Sequence, residues 1–513
     1  METGKSSDIL RRISLSKLMP VILVGITVLI AIGAFTRLGI SLVTLGVLIA
    51  LPLGIFILVS YQRLLPLVIL AAIVPITIPV TRVLNMTLHE IVIPSLFFIY
   101  VLQRMVRRSN YNRVSFYDIP KSIIVLFVIG FAWFIASGDI LPQNIFRFQG
   151  LGAFRNYFTF FVGIMGYFLM LSLIKEEKHI NQIAKTLFWI SFASVLYQFL
   201  LVALFQKNTP IIRTPNWSVY YFEGNRFAIR SVAMGELGLV LFLIALCGEY
   251  PKKLIYRIPL MIFASIAVAY SGGRTTFAGW ILAILAYLFI KKRYFILTGA
   301  LASAVVIIIL PFMFPESISA LPKSFQRIFV LRGESAVETA GGAASSIKDR
   351  LARWGASIEQ IKNKPITGLG YRGFEINYAI YGELTGQELV IELGAASGAM
   401  ANGYINYALI LGTPAFILFL IIWLNSIRHC LKIYRKHPDQ HLRNISLFML
   451  LLFAAYTIIY LAGGGPNDVK FMMYLGLSQA IWVFVLKNQK KPSTQEEKSL
   501  IINRPAFSSA IEG

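Results

Sequence analysis

FILTGALASAVVIIILPFMF at residues 295–314 and YINYALILGTPAFILFLIIWL at residues 404–424 each run for about twenty residues without one Asp, Glu, Lys or Arg. That is the length a helix needs to cross roughly 30 Å of hydrocarbon, and a helix satisfies its own backbone groups there. Applied outward, the same criterion marks further runs near 20–35, 39–59, 64–80, 88–102, 119–136, 154–173, 180–205, 230–247, 258–271, 275–290, 446–462 and 470–486. The sequence thus predicts an all-α, polytopic integral membrane protein of about fourteen (12–14) transmembrane helices. The pair around Ser271-Gly272-Gly273-Arg274 reads either as two short spans or as one broken helix.

Composition agrees. Of 513 residues, 57% are hydrophobic and only 14% charged, with a mean hydropathy of +0.70, a balance that excludes a soluble domain of this length. The net charge of +24 would point to nucleic acid in a soluble protein. Here much of it lies in short clusters between apolar runs, where the positive-inside rule and anionic lipid account for it, so no nucleic-acid partner is expected. Cys247 and Cys430 form neither a disulfide framework nor a metal-ligand spacing. The basic N-terminus and the run after it read as an uncleaved first span.

Assigning each basic residue to a side puts 29 of the 48 on the inner face, with both termini cytoplasmic and the long loop exported. The predicted organisation is eleven spans over residues 1–314, an exported loop over 315–403, three spans over 404–486 and a disordered cytoplasmic tail over 487–513. The 19 outer basic residues are 13 Arg and 6 Lys, whereas the inner set holds 13 Arg and 16 Lys. Guanidinium suits bidentate phosphate recognition. Arg147, Arg155, Arg213, Arg226, Arg230 and Arg274 either snorkel and pair with Asp139, Glu223 and Glu236, or hold an anion; for the set, an anionic ligand is the better account. In the outer connection 206–229, Trp217, Tyr220, Tyr221 and Phe222 read as an interfacial belt or, less favoured, as a sugar-stacking wall.

Within the long loop, Ile347, Leu351, Trp354, Ile358 and Ile361 are spaced 4, 3, 4 and 3, one stripe of an amphipathic helix. Ser346 with Asp349 starts it and Asn363-Lys364-Pro365 stops it. Arg350 and Arg353 flank the stripe, turned to a lipid head group or to water. Gly368-Leu369-Gly370-Tyr371-Arg372-Gly373 matches the dinucleotide fingerprint in letters, but it follows a helix and opens no βαβ unit. It is expected instead to be a flexible turn that brings backbone N–H groups and Arg372 to a ligand. The loop has no His, so metal chemistry has no support and no cofactor is expected. Glu375, Glu383, Glu388 and Glu392 supply carboxylates.

SGGRTTFAGW closing a short span, RLARW and KNKPITGLGYRGF in the loop, and NGYINYALILGTPAF opening the next span together resemble, in their order and spacing, the O-antigen ligase and O-antigen polymerase family of bacterial membrane glycosyltransferases. The resemblance covers roughly residues 220–425. It implies a metal-independent, inverting transferase of the cytoplasmic (inner) membrane acting on a polyprenyl-pyrophosphate-linked oligosaccharide at its outer face. Arg230 and Arg274, with Arg226 behind them, fall where the family holds the pyrophosphate. Asn402 and Tyr404 fall in the family's catalytic motif, but the His expected just before that Asn is Ala401. The proton then goes to Glu375 or Glu392, or to the leaving pyrophosphate, or the chain is inactive. The resemblance also implies membrane lipid, a chain-length regulator and a repeat-unit flippase as partners. Three functions follow: a polymerase of lipid-linked repeats, favoured by the missing His; a ligase moving finished glycan to a lipid or protein; and a flippase, which the long loop and the lack of internal repeats disfavour.

Overall fold

The structure, a computed structural model, describes residues 64–74, 77–79, 85–106, 118–136, 148–174, 176–205, 219–223, 226–230, 232–271, 273–313, 350–351, 354–355, 357–371 and 402–489. The apolar runs at 20–35 and 39–59, most of the long loop and the tail beyond 489 lie outside them. The described helices are α1 (Leu64–Ile73), α2 (Leu88–Val106), α3 (Lys121–Ala136), α4 (Phe148–Leu173), α5 (Glu177–Phe205), α6 (Val232–Cys247), α7 (Leu254–Tyr270), α8 (Arg274–Ile290), α9 (Tyr294–Met313), α10 (Gly403–Leu411), α11 (Thr413–Lys436), α12 (Gln440–Ile459) and α13 (Val469–Gln489).

Among the described residues, five helical segments are long and apolar enough to cross a membrane: Arg155–Leu173, Glu177–Leu200, Thr413–Lys436, Gln440–Ile459 and Val469–Gln489. Shorter apolar helices surround them. On α7, Leu254, Ile258, Ile262 and Ile266 are exposed at spacings of four, one apolar stripe along the helix.

Direct contacts fix which helix ends lie together. At one end, Lys487 at the close of α13 pairs with Asp118 just before α3 at 2.8 Å. Arg257 in the first turn of α7 donates to Ala245 O and Leu246 O at the close of α6. At the other end, Ser271 follows α7, Arg274 opens α8 and Val469 opens α13. We call this the Arg274 end.

Small residues allow the close approaches. A Cβ on Gly476 of α13 would lie 2.7 Å from the Tyr167 backbone of α4, and one on Gly166 would lie 2.8 Å from Met473. Gly279 of α8 meets Ala455 O of α12 in the same way, at 2.9 Å. At the Arg274 end, stacked rings tie four helices together. Tyr407 and Phe419 have centroids 4.0 Å apart, and Phe471 lies 4.7 Å from Trp423 and 4.8 Å from Tyr460.

Two features depart from a purely helical reading. Short antiparallel hairpins join β1 (Thr77–Pro79) to β2 (Asn85–Thr87) and β3 (Val219–Glu223) to β4 (Arg226–Arg230). In sequence, the Gly224-Asn225 pair between β3 and β4 has the residue types of a two-residue hairpin turn. The run read as one span at 404–424 is two helices. Gly412, at φ +87°, breaks it, and Pro414 sits in the first turn of the new helix, where no donor is lost.

Both ends of α10 lie at the Arg274 end. Gly403 N donates to Tyr460 O at the close of α12 (2.7 Å), and Leu411 O accepts from Trp133 Nε1 near the close of α3 (3.1 Å). Thus α10 lies across that end and α11 makes the crossing. The loop stripe is helical at 350–351, 354–355 and 357–363. Ile361 packs with Leu369 against Leu409, while Leu351 and Ile358 are exposed.

Candidate functional site

The Ser271-Gly272-Gly273-Arg274 turn is built by its serine. Ser271 Oγ donates to Val268 O (2.7 Å) and accepts from Gly273 N (3.3 Å). This closes α7 and delivers Arg274 to the first position of α8, half-buried. Ser271 and Thr276 are buried, and both face Gly235 of α6, where a Cβ would lie 2.5 Å from Ser271 Oγ. Gly235 lies five residues after Arg230, and in the β3–β4 register Arg226 stands opposite Glu223 and Arg230 opposite Val219. The backbone therefore brings the arginine hairpin and the Arg274 turn to one place.

Ion pairs frame this place. Glu236, next to Gly235, pairs with Lys470 of α13. Arg155 of α4 holds Glu90 with two contacts, Nε to Oε1 at 2.9 Å and Nη2 to Oε2 at 3.1 Å. Thr87 N (2.7 Å) and Thr159 Oγ1 (2.8 Å) complete the set around that carboxylate. Four donors on two oxygens leave Glu90 fully engaged.

The connection from α12 to α13, Gly463-Gly464-Gly465-Pro466-Asn467-Asp468, forms one rim. Asn467 Nδ2 donates to Asn156 Oδ1 (3.3 Å) and Asn406 Nδ2 to Gly464 O (2.8 Å). Asp468 caps α13 by accepting from Phe471 N (3.0 Å). Burial raises its carboxyl from the usual aspartate range to about 6, against the opposing pull of the Phe471 and Lys470 N–H groups and the Tyr460 hydroxyl.

Asn402 and Tyr404 do local work. Asn402 Oδ1 accepts from Tyr404 N (3.0 Å) and Ile405 N (3.1 Å), capping α10. The Tyr404 hydroxyl donates to Thr457 O (3.1 Å) while its ring stacks on Trp423. The glycine-rich turn is not a free cradle: Leu369 N donates to Leu409 O (2.7 Å) and Gly370 N to Ile410 O (2.9 Å). These and Trp133 satisfy the last three carbonyls of α10, which a helix end leaves open. Thr413 N returns a bond to Pro365 O (2.8 Å). Tyr371 is inserted edge-on against Tyr157 at 4.7 Å, and burial pushes its hydroxyl well above the usual tyrosine range. Arg350 is half-buried at the start of the described loop helix. Arg353, Arg372, Glu375 and Glu392 lie outside the described residues, and of Arg226 and Arg230 only the backbone is described.

Residues 259–420 match a family model described as O-antigen ligase. This segment is thus similar to the O-antigen ligase family. The matched segment contains the Arg274 turn, the long loop, α10 and the Gly412 break, and stops short of Asp468 and Lys470. Members of this family are membrane glycosyltransferase-type enzymes, and the apolar helices are those of a membrane protein. No curated protein matches the chain.

Sequence reading missed Lys470, Asp468, Asn406 and the Glu90 partner of Arg155. Lys470 was countable as an outer lysine beside an apolar run, and the Gly-rich step ending in Asn467-Asp468 carried a cap signal. Nothing in the sequence pairs Glu90 with a residue 65 positions away.

Proposed function

We propose that the chain polymerises polyprenyl-pyrophosphate-linked oligosaccharide repeats, as for O-antigen, capsule or exopolysaccharide, at the outer face of the bacterial cytoplasmic membrane. The observation that carries this reading is the seating of Ser271 on Gly235, which sets the Arg226–Arg230 hairpin beside the Arg274 turn. Breaking the anomeric C–O bond leaves negative charge on pyrophosphate. Guanidinium groups held at that spot stabilise the charge as it develops and stay put during the reaction, so no metal is needed in this reading. In this reading Arg350, Arg353 and Arg372 of the long loop would bind the same glycan.

Removing one preorganised donor of this type costs roughly 10²- to 10³-fold in rate. Arg274→Ala and Arg230→Ala should therefore abolish long polymer while the protein still accumulates in the membrane. Polymer of normal length from both variants sinks the pyrophosphate assignment. The description of the matching family favours a second reading, a ligase that moves glycan from the carrier to a lipid or protein acceptor. Chain length separates the two: cells lacking a polymerase hold single lipid-linked repeats, whereas cells lacking a ligase accumulate long lipid-linked polymer.

A further inference from the structure

Transfer to a hydroxyl requires a proton acceptor. Of the carboxylates at the Arg274 end, Glu90, Glu236 and Asp468 belong to the helices of the bundle or to the turn that caps one. Glu90 receives four donors, two of them from the Arg155 guanidinium, and a carboxylate so held binds a proton weakly. Glu236 is tied to Lys470. Asp468 has no ion pair among the described contacts; its Oδ1 takes the Phe471 N–H, and the Tyr460 hydroxyl lies against the carboxylate.

Beside Asp468 is an independent sign of a ligand. Asn406 is 6% exposed, and its amide is oriented by donation of Nδ2 to Gly464 O. Its Oδ1 is buried with no hydrogen-bond partner among the described residues, and an orphaned buried acceptor is costly unless a donor reaches it. A Cβ on Gly465 would lie 3.2 Å from Asn406 and 3.6 Å from Asn467 Oδ1. Glycine there leaves the two amides and the Asp468 carboxylate within one small rim. Two amides and a carboxylate grouped at one turn offer the donors and acceptors that sugar hydroxyls pair with.

We propose that Asn406, Asn467 and Asp468 form the acceptor-sugar subsite, with Asp468 the proton acceptor of the transfer. This rests on the glycosyl-transfer reading above. As the acceptor O–H attacks the anomeric carbon, a new C–O bond forms and the C–O bond to pyrophosphate breaks, its electron pair leaving with the phosphate oxygen. The acceptor proton passes to the Asp468 carboxylate and is later released to water. Connectivity supports the placement. Ser271 contacts Gly235, Glu236 pairs with Lys470, and Lys470 is two residues from Asp468.

Asn caps a helix as well as Asp does, so Asp468→Asn keeps the cap on α13 and removes only the proton-accepting function. The test uses the full chain in nanodiscs with a synthetic polyprenyl-pyrophosphate-linked repeat, following transfer and donor binding. Loss of a positioned base costs about 10²- to 10⁴-fold. Asp468→Asn should lose at least 10²-fold in kcat with donor affinity unchanged. Asn406→Leu should raise the KM for acceptor more than it lowers kcat.

The unmodified protein should gain activity as pH rises through about 6, where burial places the Asp468 carboxyl, and Asp468→Asn should lose that step. The other groups facing Asp468 are the phenols Tyr407, Tyr456, Tyr460 and Tyr474, a residue type that does not titrate near pH 6. The Lys470 ammonium is engaged by Glu236 and also acts electrostatically on His89. Transfer by Asp468→Asn within threefold of the unmodified rate, or an unmodified profile flat between pH 5 and 7, overturns the assignment. No transfer by the unmodified protein at any pH overturns the glycosyl-transfer reading itself.

Discussion

Gly412→Ala should open the join between the long loop and the bundle. At φ +87° an L-residue costs about 1–2 kcal/mol. The added Cβ would also lie 2.0 Å from Ile366 O and 2.7 Å from Ile366 C, so segment 365–368 must move back by roughly 1.4 Å to reach ordinary contact. That shift stretches three bonds: Thr413 N to Pro365 O (2.8 Å), Gly370 N to Ile410 O (2.9 Å) and Leu369 N to Leu409 O (2.7 Å). At about 1 kcal/mol each, their loss brings the local total to about 4–5 kcal/mol, or on the order of 10³-fold in the opening equilibrium. Hydrogen exchange on the full chain in nanodiscs reads this directly, as faster exchange at Leu369, Gly370 and Thr413. Gly355, whose Cβ would meet nothing within 4 Å, supplies the control as Gly355→Ala. Protection at those three amides that matches the unmodified protein would refute the reasoning.

Glu236→Gln strands the Lys470 ammonium. Breaking a buried pair costs about 3–5 kcal/mol, reduced to about 2–3 kcal/mol here because roughly a fifth of each side chain reaches the surface. Glu236→Gln/Lys470→Met should regain at least half of that in a denaturation series, and strict additivity of the two single changes would show that the pair is not coupled. Tyr404→Phe removes one hydrogen bond to Thr457 O and keeps the stack on Trp423. It should cost about 1 kcal/mol of stability and leave transfer within about threefold; a drop of 10²-fold would place the hydroxyl in the chemistry instead.

Helices were legible wherever burial or lipid demanded an unbroken apolar run, and α2 to α9, α12 and α13 fall close to where such runs were counted. The break at Gly412 was not legible, because Tyr404 to Leu424 is apolar on both sides of it. Its signal is the local one, Gly-Thr-Pro, which a hydropathy window averages away. The β3–β4 hairpin was masked by its own aromatics, since Tyr220, Tyr221 and Phe222 read equally as an interfacial belt, while Gly224-Asn225 carried the turn. The stripe on the loop helix was readable, but periodicity says which residues share a face and not what covers it: Ile361 meets Leu409 while Ile358 is exposed. Arg274 could be found because its residue type and its place at a span end coincide. Asp468 and Asn406, 62 positions apart, become one rim only through tertiary packing.

The way α10 is fastened has an electrostatic consequence. A helix carries partial negative charge on its terminal carbonyls, and α10 lies across the end where a pyrophosphate would rest. Leu369 N, Gly370 N and Trp133 Nε1 take those carbonyls at residues 409–411, and Gly403 N takes the Tyr460 carbonyl at the close of α12. Meanwhile α8, α10 and α13 all begin at this end and turn their positive N-termini toward it. Because α3, α7 and α12 close at this end, the helix termini there largely offset one another, and the net positive field falls to the arginine side chains.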